Sequence, residues 1–381
     1  MRIAIVGTGF VADFYITTLK NHPELDLLGV MDRDAERADR FARFYGLSRY
    51  RTLDEVLADA RVELVVNLTN PSSHYEVSKA ALLAGKHVYS EKPLSTSFEE
   101  ARELVELAES RGLSIAGAPC GLLGEAAQTM WKAIREGKLG KVRLAYAEID
   151  GGPVHLETYQ DWISESGSPW PYQDEFETGC TLEHAGYYLT WLCGFFGPAR
   201  KVTSFAASLV PDKGVPVRVL TPDYSVGCIE FEGGVVARIT CGIYAPHEQG
   251  ITVVGDGGVM TAKDCWDYGT PLRFHARTPL GIRGEKRPTL ARLAGVGPRR
   301  VKLVRPVRFN WKSKGANPMD FARGIAEQAA ALAERRQSRI SARFTLHVNE
   351  IVLALQDPAG MGSPRTLATS FDPPEPMPWA R

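Results

Sequence analysis

The chain has 381 residues, 45 Lys+Arg against 45 Asp+Glu, and 44% hydrophobic content. That length predicts two domains of ordinary size, or one unusually large one, and enough buried surface to fold without disulfides or a structural metal. Balanced charge argues against nucleic acid as a partner, and no run reaches the roughly 18 uninterrupted apolar residues of a membrane span.

In chain order, residues 3–6, 25–31, 62–67, 87–89 and 113–116 are short apolar runs that read as buried strands. Between them, 11–21, 35–45, 73–84 and 98–110 carry helical patterns. This alternation implies a parallel sheet with right-handed crossovers, covered on both faces. Character changes after Pro119. A helix over 122–136 feeds a strand over 141–149, and a loop rich in Gly, Pro, Ser, Trp and acids then runs over 151–177. Its length and aromatic content point to a binding loop. The spacing predicts one helix over 181–196, stopped by Gly197-Pro198, then strands over 201–209, 225–231, 235–244, 250–254, 258–262 and 272–274. Glu232-Gly233-Gly234 and Asp256-Gly257-Gly258 are hairpin signals, so the second sheet is expected to be mainly antiparallel. Residues 277–317 are basic and rich in Pro and Gly, with Arg299, Arg300, Lys302, Arg305, Arg308, Lys312 and Lys314. They read as a solvated segment or as a lid for an anionic substrate. Helices are expected over 317–336 and 346–356, followed by a proline-rich arm at 373–381.

Two further readings bear on location. Residues 2–6 are too short for a signal peptide. Cys120, Cys180, Cys193, Cys228, Cys241 and Cys265 form no Cys-x-x-Cys pair, which reads as reduced, buried thiols in a cytoplasmic protein.

The first run leads into Gly7-Thr8-Gly9-Phe10-Val11-Ala12, a G-x-G-x-x-A turn that opens a helix. Gly7 permits the tight turn, Gly9 lets backbone approach a pyrophosphate, and Ala12 lets helix and strand pack closely. The helix N-terminus offers N–H groups and the positive end of its dipole to phosphates. Asp32, at the end of the second run, suits the hydroxyls of an adenosine ribose and disfavours a 2′-phosphate, so NAD is expected before NADP. Arg33 keeps NADP open, since a guanidinium there could pair with a phosphate.

Two more segments complete a pattern. Asn67-Leu68-Thr69-Asn70-Pro71-Ser72-Ser73-His74 follows the 62–67 strand, and Gly85-Lys86-His87-Val88-Tyr89-Ser90-Glu91-Lys92-Pro93-Leu94 covers the 87–89 strand and its turn. With the glycine turn, these resemble the glucose–fructose oxidoreductase / inositol dehydrogenase (Gfo/Idh/MocA) family of NAD(P)-dependent oxidoreductases. Residues 84–93 match that family's A-G-K-H-V-x-x-E-K-P throughout. The resemblance is specific over 1–120 and one of element order beyond. It implies an α/β protein with an N-terminal Rossmann (doubly wound parallel sheet) domain at 1–120. A C-terminal α/β domain with an open, mainly antiparallel sheet would follow at 121–381, supplying a substrate wall and the interface of a homo-dimer or homo-tetramer. It also implies that Gly7, Gly9, Phe10 and Val11 hold the pyrophosphate and that Asp32 and Arg33 meet the adenosine end. Thr69, Asn70 and His74 would line the cofactor path, Glu91 and Lys92 would approach the nicotinamide ribose, and Lys92 would reach the reacting hydroxyl.

The family's second motif reads L-x-D-x-G-x-H, with Asp and His on one helical face. Set against Gly179-Cys180-Thr181-Leu182-Glu183-His184-Ala185-Gly186-Tyr187-Tyr188, Leu182 and Gly186 fit. His184 then stands where Asp is usual and Tyr188 where His is usual. In that register Tyr188, its phenol drawn down from about 10 by the Lys92 charge, is the proton partner and His184 assists, or the two exchange roles. Glu183 points about 100° away and reads as solvated.

The expected activity is hydride transfer between nicotinamide and a secondary hydroxyl or ketone of a sugar, polyol or nucleotide sugar. Trp162, Trp170, Tyr159, Tyr172 and Asp174 in the 151–177 loop suit a carbohydrate. No metal is expected, because His74, His155, His184 and His247 show no ligand spacing. Two other classes stay open: a non-catalytic NAD(P)-binding regulator, and a hidden-redox eliminase or hydrolase acting on a sugar.

Overall fold

The structure is a computed structural model that describes residues 1–293, 296–308 and 319–381; Lys312, Lys314 and the expected helix start at Asn317-Pro318 lie outside them. Strands β1 (Arg2–Val6), β2 (Asp26–Met31), β3 (Leu64–Asn67), β4 (His87–Ser90) and β5 (Ile115–Gly117) form a parallel sheet in the order β2-β1-β3-β4-β5. The two-residue period of a strand splits its apolar residues between two layers. Ile3 and Ile5 join Tyr15 of α1 (Ala12–Leu19) and Phe41 of α2 (Ala35–Tyr45). Ala4 and Val6 join Val56 of α3 (Leu53–Ala58), Leu82 of α4 (His74–Leu83) and Leu104 of α5 (Phe98–Ser110). Helix α3 was not expected, although it carries a start signal. The Thr52 hydroxyl accepts from Glu55 N at 3.2 Å and the Glu55 carboxylate accepts from Arg51 N at 2.7 Å, close to a capping box.

The second sheet has nine strands: β6 (Val142–Asp150), β7 (Ala199–Ala207), β8 (Tyr224–Phe231), β9 (Val236–Gly242), β10 (Ile251–Gly255), β11 (Gly258–Ala262), β12 (Leu272–Ala276), β13 (Arg299–Val301) and β14 (Arg365–Thr366). Their order is β13-β12-β11-β10-β6-β9-β8-β7-β14, antiparallel except where β6 meets β9. Ala145, Ala147 and Ile149 face the core, while Leu144 and Tyr146 face outward.

Several expectations are corrected. The 181–196 helix is two helices, α8 (Cys180–His184) and α9 (Gly186–Phe196), following α6 (Glu125–Arg135) and α7 (Tyr172–Thr178). Ala185 between them keeps φ −58° and ψ −30°, so the helical phase of the side chains carries across the break. The 151–177 segment is not bare loop, since α7 closes it. The basic segment contains α10 (Pro279–Glu285), α11 (Pro288–Leu293) and β13. Its Arg305 is committed to the scaffold: it pairs with buried Glu125 at 2.8 Å and lies 3.7 Å over the Trp379 ring of the C-terminal arm.

The chain finally returns to the first sheet. Gln328 of α12 (Arg323–Ala333) donates to Val88 O and Ser114 Oγ, each at 2.9 Å. Helix α13 (Ala342–Gln356) bridges the two units. Asn349 donates to Ser95 O at 3.1 Å, beyond β4, and Gln356 Oε1 accepts from Leu182 N at 3.0 Å, at the start of α8. That bridge sets the turn after β4 against α8, where Lys92 meets Glu183.

Candidate functional site

The site begins at the glycine turn. Gly7 has φ +102°, and a Cβ there would lie 2.4 Å from Leu68 O, so only glycine fits between β1 and the turn after β3. A Cβ on Gly9 would meet nothing within 4 Å. The turn therefore faces open space at the start of α1, a cradle that fits a dinucleotide phosphate. Phe10 and Val11 form the approach to α1 and are partly exposed. Asp32, 6% exposed, is fixed to this turn: Oδ2 accepts from Thr8 N at 2.8 Å and from Thr8 Oγ1 at 3.1 Å, and Oδ1 accepts from Asp34 N at 2.9 Å. Arg33 is exposed beside it.

The next turns are held by Asn67 and His74. Asn67 Oδ1 accepts from Thr69 N at 3.2 Å and from Thr69 Oγ1 at 2.7 Å. The fully buried His74 ring has Nδ1 2.7 Å from Pro93 O and Nε2 2.8 Å from Thr69 O. His74 thus packs between the turn after β3 and the turn after β4, with its side chain buried. Burial pushes its pKa down, and the neutral ring donates to one of the two carbonyls. Asn70 donates to Asp174. Buried Glu91 accepts from Tyr15 OH at 2.6 Å and from Lys92 N at 3.0 Å.

Lys92 reaches across to α8, where its ammonium pairs with the Glu183 carboxylate. Glu183 is 3% exposed, so the expectation of a solvated side chain is overturned. Burial works against the Lys92 charge, but the carboxylates of Glu183 and Glu175 outweigh it and hold the pKa well above its ordinary value. Burial, with the neighbouring Glu183 carboxylate, pushes the Glu175 carboxyl well up. His184 feels the same cation: burial first, then the Lys92 charge, push its pKa down to about 4. Tyr187 is raised by burial while Lys92 pulls against that shift. The Trp266 ring closes the group, 5.1 Å from Tyr187 and 6.0 Å from His184.

Tyr188 lies elsewhere. Its hydroxyl donates to Gln249 O, its ring is 0% exposed against Trp191, and burial raises its pKa with no contribution from Lys92. The expected lowering of this phenol by Lys92 is therefore corrected. The residues that share one side of α8–α9 with Lys92 are Glu183 and Tyr187, one position earlier than the expected pair. A signal existed in the sequence. Gly179, Glu183 and Tyr187 recur every four residues, and Gly179 is the constrained start of α8: its φ is +96° and a Cβ there would lie 2.7 Å from the Gln356 amide. Counting from that glycine, rather than from Leu182 and Gly186, gives the observed face. Trp266 and Glu175 carried no comparable signal.

The aromatic residues of the 151–177 segment are also reassigned. Tyr159, Trp162, Trp170, Tyr172 and Phe176 pack on one another with ring centroids 4.9–6.1 Å apart, and Tyr159 OH donates to Lys213 O at 2.7 Å. They form the segment's own small core. Among the described residues, no group of three or more His, Cys, Asp or Glu could hold a metal.

Residues 1–116 match the oxidoreductase family with an NAD-binding Rossmann fold, and residues 127–261 match the GFO/IDH/MocA C-terminal domain. The chain is 26% identical over 290 residues to trans-1,2-dihydrobenzene-1,2-diol dehydrogenase of Mus musculus, a match spanning 75% of this chain and 79% of the mouse protein. A solved oxidoreductase from Agrobacterium radiobacter, in complex with NAD+, L-tartaric acid and magnesium, superposes with a TM-score of 0.76 at 16% identity, over 96% of this chain and 98% of that one. The WlbA dehydrogenase from Bordetella pertussis, in complex with NADH and UDP-GlcNAcA, superposes with a TM-score of 0.71 at 17% identity, over 97% and 98% of the two chains. These two structures speak to the fold. With these two family models together matching well over half of its length, the chain belongs to the Gfo/Idh/MocA family of oxidoreductases, built on an NAD-binding Rossmann domain.

Proposed function

We propose that this protein is an NAD-dependent dehydrogenase acting on a secondary hydroxyl of a polyhydroxylated small molecule: a sugar, a polyol or a nucleotide sugar. One observation carries the reading: the Lys92–Glu183 pair at the end of β4, flanked by Tyr187, His184 and Trp266. Bound nicotinamide supplies the hydride acceptor. Lys92, kept cationic by Glu183, hydrogen-bonds the substrate oxygen and stabilises the negative charge that develops as its proton leaves. Tyr187 shares that contact through its phenol. His184, neutral at pH 7 because burial and the Lys92 charge push its pKa down to about 4, is too weak a base to hold the proton and assists by relaying it. The substrate class is supported by the mouse relative, named for a diol, and by the Bordetella structure, which holds a nucleotide sugar.

Asp32 supports NAD over NADP, because a carboxylate held by the Thr8 amide would stand against a 2′-phosphate. Six free cysteines support a reducing cytoplasm, and outward-facing Leu144, Tyr146 and Phe205 on the second sheet support a homo-oligomer. Absorbance at 340 nm with a panel of diols, sugars and nucleotide sugars tests the activity. NADH formation, with kcat/KM at least tenfold higher for NAD than for NADP, is the outcome roughly expected of a ribose-binding carboxylate. Product without net NADH points to hidden redox chemistry, and NADH binding without product points to a regulator.

A further inference from the structure

The segment 151–178 reaches the glycine turn, the start of α1, the turn after β3 and Lys92 after β4. At its tip, Ser166 donates from its backbone N to Asp13 Oδ1 at 2.8 Å and from Oγ to Asp13 Oδ2 at 2.9 Å. Ser168 Oγ donates to Thr8 O at 3.2 Å, between the two glycines of the turn, and Arg40 donates to Ser166 O at 3.1 Å. Asp13 sits in the first turn of α1 and also accepts from Tyr45 OH at 2.7 Å. At the other end, Asp174 holds Asn70 and Glu175 faces Lys92 and Glu183. Between these ends the segment is braced by its own aromatic cluster and by the Tyr159–Lys213 bond. It is therefore stiff inside and fastened at its tip by the few hydrogen bonds of Ser166 and Ser168. A body of that kind can detach without losing its own packing.

We propose that segment 151–178 is a lid latched over the dinucleotide, with Ser166 and Ser168 as the latch, so that coenzyme leaves only after they release Asp13 and Thr8. The lid rests on the reading that a nicotinamide dinucleotide occupies the cradle at Gly9. Opening of the latch then limits coenzyme release.

The test is NADH release from the full-length protein. Protein is loaded with NADH and mixed in a stopped-flow instrument with excess NAD+, and the decay of NADH fluorescence is followed for the wild type, Ser166→Ala/Ser168→Ala and Arg40→Ala. Far-UV circular dichroism checks that each variant is folded. The double variant is expected to release NADH roughly tenfold faster, from the loss of two hydrogen bonds, and Arg40→Ala roughly threefold faster. Amide exchange over 151–178 is expected to slow when NADH binds. NADH bound by all three proteins with equal release rates and unchanged exchange would overturn the lid alone. A wild type that binds no NADH in equilibrium titration would overturn the dinucleotide reading, and the lid with it.

Discussion

The glycine turn after β1 and the helical turns at α8–α9 are encoded differently. At the glycine turn, the backbone makes the site. Gly7 is needed because Leu68 O occupies the place of a Cβ, and Gly9 leaves open space before it. At α8–α9, side-chain direction makes the site, and direction changes by about 100° with each residue. A one-residue difference in register exchanges Glu183 and Tyr187, beside Lys92, for His184 and Tyr188, of which Tyr188 is turned to Gln249 O. Backbone-made sites tolerate no ambiguity of register, whereas side-chain-made sites depend on it.

The sharpest way to break this comparison is to remove the cation that pairs with α8. Lys92→Ala should lower kcat by about 10² or more, the scale of a lost charge-stabilising donor, while the Kd for NADH changes little. It also leaves Glu183 buried without its partner, so a fall in Tm of several degrees should accompany it. A kcat near that of the wild type would remove the Lys92 pair from the chemistry.

Register is tested by a pair of variants one residue apart. Tyr187→Phe should lower kcat by roughly 10–10². Tyr188→Phe should change kcat by less than about threefold and instead cost about 1 kcal/mol of stability, because the Gln249 carbonyl loses its donor. Steady-state kinetics and thermal melts on both proteins decide the matter, and the opposite ranking would restore the register that places Tyr188 in the site.

The smallest effect concerns pH and separates site from scaffold. His184 in the cleft and His347 in α13 both have pKa values pushed down to about 4, in each case first by burial. His347 must stay neutral, since Nε2 accepts from Ala199 N at 2.9 Å. Both pKa values lie below the unfolded value of about 6.5, so the unfolded chain binds more protons in this window. The stability is full above about pH 6.5 and is lost as pH falls through about 4. Melting temperatures measured from pH 7 to 4 should decline accordingly. Gln at either position should flatten the decline, and only His184→Gln should also alter kcat.

By itself, the sequence determined whatever depends on near neighbours. The β–α alternation, the glycine turn, the hairpins of the second sheet and the 84–93 motif are set by steric demands and periodicities a few residues long, and the strands and helices of residues 1–117 follow them closely. Even α3 was written in the Thr52–Glu55 cap. Tertiary structure alone decided which polar groups meet. Lys92 and Glu183 are 91 residues apart and come together because α13, from the end of the chain, holds both Ser95 and Leu182. The aromatic residues of 151–178 turned inward because their nearest partners were one another, and Trp266 reached the cleft from a distant loop. Which face a side chain presents, and to what, is a property of packing between remote segments, and no local pattern specifies it.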